Sequence, residues 1–171
     1  MRRMVIAASL LFTACATTTG LDAKTTYSGF DDAAIVNIQP HGLGCDGAFI
    51  CLSLGAEWQQ AEPEQVLMLV QITGKTQGIT GAALNIDGQK INLAEASTAT
   101  EFERVAGAIE TSTQVFVAPV EVIDEILAAK RVWIRVNTTS GFMEDYIIDG
   151  DKDSKAYHAL KRFSSEMKSV N

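Results

Sequence analysis

The stretch "HGLGCDGAFIC", residues 41–51, gathers the side chains of this sequence best equipped for chemistry. His41, Cys45, Asp46 and Cys51 bring one imidazole, two thiols and one carboxylate into eleven residues. Three chemistries suit those types. Oxidised, Cys45 and Cys51 close a loop of seven residues, and Gly42, Gly44 and Gly47 supply the tight backbone that so short a loop needs. Reduced, the two thiolates with His41 and Asp46 make a metal donor set, but zinc sites favour C-x₂₋₄-C and five residues intervene here. A redox pair is the third, and it lacks the C-x-x-C geometry behind activated thiols. The spacing favours the disulfide and keeps the metal as its alternative.

Other candidates carry weaker signals. His158 stands beside Tyr157 in a helical pattern without recognisable partners, and reads as a partly exposed surface histidine. In "DGDKDS", 149–154, Asp149, Asp151 and Asp153 have the spacing that opens a calcium loop. Ser154 then replaces the required Gly and Leu160 the bidentate Glu, so a solvated turn with a helix cap fits better. Trp58 and Trp133 sit on alternating segments, where packing is the default; stacking on a ligand needs both on one open face. The patterns G-x-S-x-G, H-E-x-x-H, G-x-x-x-x-G-K-[ST] and G-x-G-x-x-G do not occur. No catalytic residue and no cofactor is indicated.

The third cysteine needs its own account. Met1-Arg2-Arg3 is a basic start, residues 4–12 are apolar, and Thr13-Ala14 are small. That is the layout of an export signal, too short for a spanning helix of about 20 apolar residues. "LFTAC", residues 11–15, resembles the lipobox of bacterial lipoproteins, with Phe12 where Leu is commoner. The resemblance covers residues 1–15 only and identifies no family for the folded domain. It implies a signal peptide 1–14, a diacylglyceryl thioether on Cys15, and an acyl chain such as palmitate on the new amino group. Ala16, which is not Asp, implies sorting to the periplasmic face of the outer membrane where the host has one. Ala14-Cys15-Ala16 also reads as an A-x-A site, whose cleavage discards the thiol. Two or three acyl chains are needed for stable residence in a bilayer, at about 0.8 kcal/mol per buried CH₂. With Cys15 lipidated, the two cysteines left in an oxidising compartment are able to pair.

Composition bounds the rest. The chain has 171 residues, 47% hydrophobic, with a net charge of −7. One domain of that length buries about 70% of the surface its unfolded chain exposes. Cleavage before Cys15 leaves 12 basic residues against 21 acidic, a net charge of −9. That sign argues against nucleic acid and against electrostatic adhesion to anionic lipid. Residues 15–24 read as the lipid anchor and a polar tether, the nine residues after Cys15 reaching about 30 Å at most. Residues 25–171 read as a single globular domain.

Strand signals dominate that domain. Residues 33–38, 49–58, 65–73, 99–106 and 113–117 read as strands, the third apolar on both faces and so central. Asp87-Gly88 marks a two-residue hairpin within 84–93, and 131–137 with 142–148 form a second, longer-looped one around "TTSG". A short helix is expected near 119–129, opening at Pro119, and a C-terminal helix over 154–168, capped by Asp153. Ala156, Leu160, Phe163 and Met167 form its packing stripe, while Lys155, Lys161, Arg162 and Lys168 face water. The expected fold is mainly β with an α+β fringe: an antiparallel β-sandwich or open barrel of about eight or nine strands. The expected role is that of an envelope lipoprotein, non-catalytic, binding another envelope protein or a small ligand. An envelope enzyme, or a metal-binding protein using the 41–51 loop, are the alternatives.

Overall fold

A computed structural model describes residues 22–45, 49–97, 99–105 and 107–170. The leader with Cys15, and Asp46, lie outside the described residues. Seven strands form one antiparallel sheet: β1 Lys24–Tyr27, β2 Ala34–Gly42, β3 Cys51–Gln59, β4 Gln65–Thr73, β7 Ala94–Glu95, β8 Glu101–Val105 and β9 Ile109–Pro119. The order is β1-β2-β3-β4-β9, with β7 and β8 sharing the far edge of β9 end to end. Five strands form the second: β5 Ile79–Ile86, β6 Gln89–Asn92, β10 Arg131–Thr138, β11 Gly141–Asp149 and β12 Lys152–Asp153, in the order β12-β11-β10-β5-β6. Helix α1, Glu121–Ala128, joins β9 to β10, and α2, Lys155–Val170, closes the chain. The arrangement is a sandwich of two open sheets rather than a closed barrel.

The expected strands are all present, and three short ones were not foreseen: β1, β7 and β12. Two or four residues give no usable periodicity. Lys24, assigned to the tether, is the first residue of β1 and pairs with Asn37. The hairpin at Asp87-Gly88 has φ of 48° and 96°, as its turn requires. The second hairpin is tighter than expected, since Thr138 pairs directly with Gly141 and only Thr139 and Ser140 turn.

The core lies between the sheets. In one row across the larger sheet, Ile38, Ala56, Met68 and Phe116 are all buried and directly paired. Val132, Ile134 and Val136 of β10 and Leu84 of β5 meet that layer from the smaller sheet. Five strands do not cover seven, and α2 fills the remaining width over β2 and β3. Its stripe is the expected one, with Ala156, Leu160, Phe163 and Met167 buried. Two details of the helices differ from expectation. Ser154 is the N-cap of α2, its Oγ accepting from Tyr157 N at 3.1 Å, while Asp153 pairs instead with His158 at 3.0 Å. Pro119 ends β9 rather than opening α1, whose N-cap is Val120 without a side-chain cap.

One irregularity controls the edge of the larger sheet. The β2–β3 register shifts between Ile38 and His41, so that Gln39 and Pro40 oppose Gly55 alone. This bulge carries the strand through Pro40, where periodicity suggests an end; a residue without N–H is tolerated at such a site. The bulged backbone presses on Gly55, where an added Cβ would stand 2.5 Å from Ile38 O and 2.8 Å from Pro40 N. Gly55→Ala is therefore expected to lower the unfolding free energy by about 1–3 kcal/mol, the range for forced overpacking. The urea midpoint checks it, and an unchanged midpoint would show that the bulge is not rigid.

Candidate functional site

Among the described residues, polar groups converge at the disulfide loop and on the outward face of the smaller sheet, each beside a cavity. At the loop, Cys45 and Cys51 are bonded to one another, with Cα atoms 5.5 Å apart. Leu43 N donates to Leu52 O at 2.9 Å, so the bridge staples a ladder already formed by β2 and β3. Gly44 packs against β11, where a Cβ would meet the Tyr146 ring and come within 2.5 Å of Asp145 Oδ1. A cavity of about 440 Å³ opens beside the bridge, between Tyr146, Asp153 and Lys155.

The bulge turns His41 inward, and the side chain is only 5% exposed. Its Nδ1 lies 2.6 Å from Gln39 O, an acceptor, so Nδ1 carries the proton. Nε2 then accepts from Arg162 Nη2 at 3.4 Å. Arg162, expected to face water, is drawn under the sheet edge by this contact and by Asp22, 3.5 Å from its Nε. His41 therefore stays near the loop without joining the sulfurs in a donor set. Both sulfurs are spent on each other, Asp46 lies outside the described residues, and among those no three His, Cys, Asp or Glu side chains gather as metal ligands. His158 is half exposed and paired with Asp153. Asp149 of the calcium-like run pairs with Arg131 at 3.1 Å.

Two carboxylates sit below their ordinary range. Asp31 is held there by the Ser28 side chain first and by the backbone N–H of Ala33, inside a tight turn. Glu110 is held by the Thr76 hydroxyl first and then by Arg104, in the β8–β9 hairpin. Asp31 is exposed and Glu110 partly so, and both serve turns rather than a cleft.

The second place was missed by sequence reasoning, although its signal is in "RVWIRVN". Alternation puts Val132, Ile134 and Val136 inside, which sends Arg131, Trp133, Arg135 and Asn137 outward. Pairing then builds rows on that outward face. Lys90, Asn85, Trp133 and Tyr146 form one; Asn92, Ala83, Arg135 and Glu144 the next; Gly81, Asn137 and Phe142 the third. The short Ala83 leaves a trough on β5 between its taller neighbours Asn92 on β6 and Arg135 on β10, and the cavity there has a volume of about 490 Å³. Arg131 lies across the indole, its Cζ 5.5 Å from the ring centroid, and Tyr146 stands 6.0 Å from it at 55°. Arg135 pairs with Glu144 at 2.6 Å and covers Phe142 at 4.7 Å.

Trp133 Nε1 and Asn85 Oδ1, on directly paired residues of the lining, are themselves closed to solvent and have no hydrogen-bond partner among the described residues, as has Gln114 Oε1 in the larger sheet. A buried polar group left so costs about 1–3 kcal/mol, and such groups in native proteins call for an explanation. Trp58, by contrast, is 1% exposed in the core and donates to Pro63 O at 3.1 Å. The two tryptophans do not share a face.

The bridge is expected to stabilise by about 2.4 kcal/mol, the chain-entropy value for a loop this short. A Cys45→Ala/Cys51→Ala double variant should lose that much by urea unfolding, and its stability should no longer respond to dithiothreitol. A loss below about 0.5 kcal/mol, far under the chain-entropy value, would leave the bridge without a role in stability. Comparison of the chain with protein-family models, with curated proteins and with solved structures finds no match.

Proposed function

We propose that this chain is an envelope lipoprotein whose folded domain binds and does not catalyse. Cys15 carries the acyl chains, the residues after it form the tether, and the groove over β5 and β10 is the ligand face. The lipobox-like "LFTAC" supports the anchor. So does the bond between the two remaining cysteines, which suits an oxidising compartment. Among the described residues no helix is long and apolar enough to cross a membrane, so in this reading attachment rests on the lipid.

The observation that carries the binding reading is the groove itself, a cleft of about 490 Å³ lined by Trp133 and by the amides of Asn85, Asn92 and Asn137. A preformed cleft with a few convergent polar groups is the usual form of a ligand site. A nucleophile held against a base would point to catalysis, and the groove lining offers none: its polar members are amides, cations and one carboxylate.

Intact mass of the protein from its native host tests the anchor: the expected product begins at Cys15 and carries acyl chains, and Cys15→Ala abolishes them. A product that starts beyond Cys15 sinks it. The two tryptophans test the binding face, because 5-fluorotryptophan gives one ¹⁹F resonance for each. Solubilised envelope extract is expected to shift the Trp133 resonance and to leave buried Trp58 in place. A shift of neither, across extracts, refutes the groove as a binding site.

A further inference from the structure

We propose that one end of the sandwich seats in a lipid surface, through apolar loop tips that lie beside the anchor. This rests on acyl chains at Cys15 and assigns which end of the domain meets the bilayer. Six of the eight large apolar side chains exposed among the described residues gather at that end: Phe49, Ile50, Phe102, Val105, Ile109 and Phe142. Strand register places them. Cys51, Thr73 and Thr111 form the last rung that β3, β4 and β9 share. Phe49 and Ile50 stand immediately before Cys51, and Val105 pairs with Ile109 two residues beyond Thr111. Phe102 lies one rung inside, opposite Ser112. The β10–β11 hairpin of the smaller sheet meets the same end, since Ile50 and Phe142 line one cleft of about 260 Å³ with Lys75 and Met143. The other two, Tyr27 and Phe30, lie at the β1–β2 turn, at the opposite end.

The entry of the chain says what covers the apolar end. From Tyr27 back to Lys24, β1 runs toward it, because β1 is antiparallel to β2. Ala23 still packs on the core, and Asp22 Oδ1 lies 3.5 Å from Arg162 Nε. Lys24 is opposite Asn37 and, through it, Glu57. Counted from there along the strands, the last shared rung is about 14 Å ahead of Asp22 and the β8–β9 tip about 20 Å, at about 3.4 Å per residue. Cys15 precedes Asp22 by seven residues. Extended, they span about 24 Å at about 3.4 Å each, enough to bring Cys15 to the plane of the tips. An anchor there holds the tips at high local concentration beside the bilayer, so a few apolar side chains set the orientation. A contiguous protein interface takes about 800 Å² of fitted surface from each partner, whereas rings on three separate turns suit a fluid surface. The contact is apolar and not electrostatic. The mature net charge is −9, and Arg104 and Glu110 beside the hairpin tip neutralise each other at 3.0 Å.

The test uses the acylated chain made with its own leader, in dioleoylphosphatidylcholine vesicles with and without a chain-brominated phosphatidylcholine, which quenches indoles on contact. Phe49→Trp and Phe30→Trp each add one exposed indole, at opposite ends, and Phe142→Trp adds one on the smaller sheet; thermal unfolding checks that each is folded. Brominated lipid is expected to reduce the emission added by Phe49→Trp and by Phe142→Trp about threefold and to leave that added by Phe30→Trp unchanged. Added phosphatidylglycerol should not increase the quenching; an increase shows electrostatic adhesion and overturns the apolar contact. Equal quenching at positions 30 and 49 shows no preferred end and overturns the proposal. Quenching of Phe49→Trp without Phe142→Trp confines contact to one loop and overturns a seated end. A blue shift of the Phe49→Trp emission without quenching shows that a second copy, not lipid, covers this end. Acyl chains by intact mass with Phe49→Trp unquenched leave the anchor standing and remove this inference; no acyl chains remove both.

Discussion

A seven-stranded sheet cannot be covered by a five-stranded one, and the rest of the structure follows from that mismatch. A sheet with one apolar face must bury it across its whole width. The smaller sheet approaches β9 and β7 through β5 and β3 through β11, and β2 with the rest of β3 takes another layer. Helix α2 supplies it with an Ala–Ala–Leu–Phe–Met stripe that joins the same core as Val36, Ile38 and Trp58. The helix is amphipathic because its inner side completes a sandwich that the strands leave open.

The two sheets are also tied by polar groups at the crossing from β4 to β5. Gln77 is 8% exposed; its N–H donates to Ser112 Oγ of the larger sheet at 2.9 Å, and its Nε2 to Thr138 Oγ1 of the smaller at 2.6 Å. Ser112 in turn donates to Lys75 O at 3.1 Å. Each buried donor named here has an acceptor, so the crossing carries little desolvation penalty, and a satisfied network of this kind fixes one relative placement of the sheets. Among the described residues, Trp133 Nε1 and Asn85 Oδ1 have no such partner, and neither has Gln114 Oε1 in the larger sheet.

Much of the fold was legible because period-two alternation is a strong signal over five residues or more. β3 and β10 satisfy that condition, β4 is marked instead by an apolar run on both faces, and the helical stripe from Ala156 to Met167 is as plain. β1, β7 and β12 were not legible, because their pairing is decided by the neighbour and not by their own residues. His41 shows a subtler failure. Strict alternation from Ala34, Val36 and Ile38 places Pro40 inside and His41 outside, but the bulge opposite Gly55 reverses the parity. Arg162 was misread for the same reason, since a cation on the polar side of a helix turns inward only when a partner such as His41 waits there. The cysteine pairing was legible from spacing and count alone. The groove was half legible: alternation sends Arg131, Trp133, Arg135 and Asn137 outward together, but the trough depends on β5 and β6 lying alongside, which no local pattern reveals.

The outward faces of the two sheets are built differently, and the groove lies on the smaller one. There Leu67, Leu69, Val115 and Val117 make a half-buried aliphatic stripe without cations or aromatic rings. On the smaller sheet, residues of very different length stand on adjacent strands, so that Ala83 lies low between Asn92 on one side and Arg135 on the other. Relief of that kind comes from side-chain size alone and needs no loop to shape it, which makes the site as rigid as the sheet. The position also fits an anchored protein. β1, where the described chain first pairs, is the outer edge of the larger sheet, whereas the groove opens on the far side of the core. Under the proposed anchoring, the chain enters the domain at one sheet and presents its binding face on the other, so attachment to a surface leaves the trough accessible.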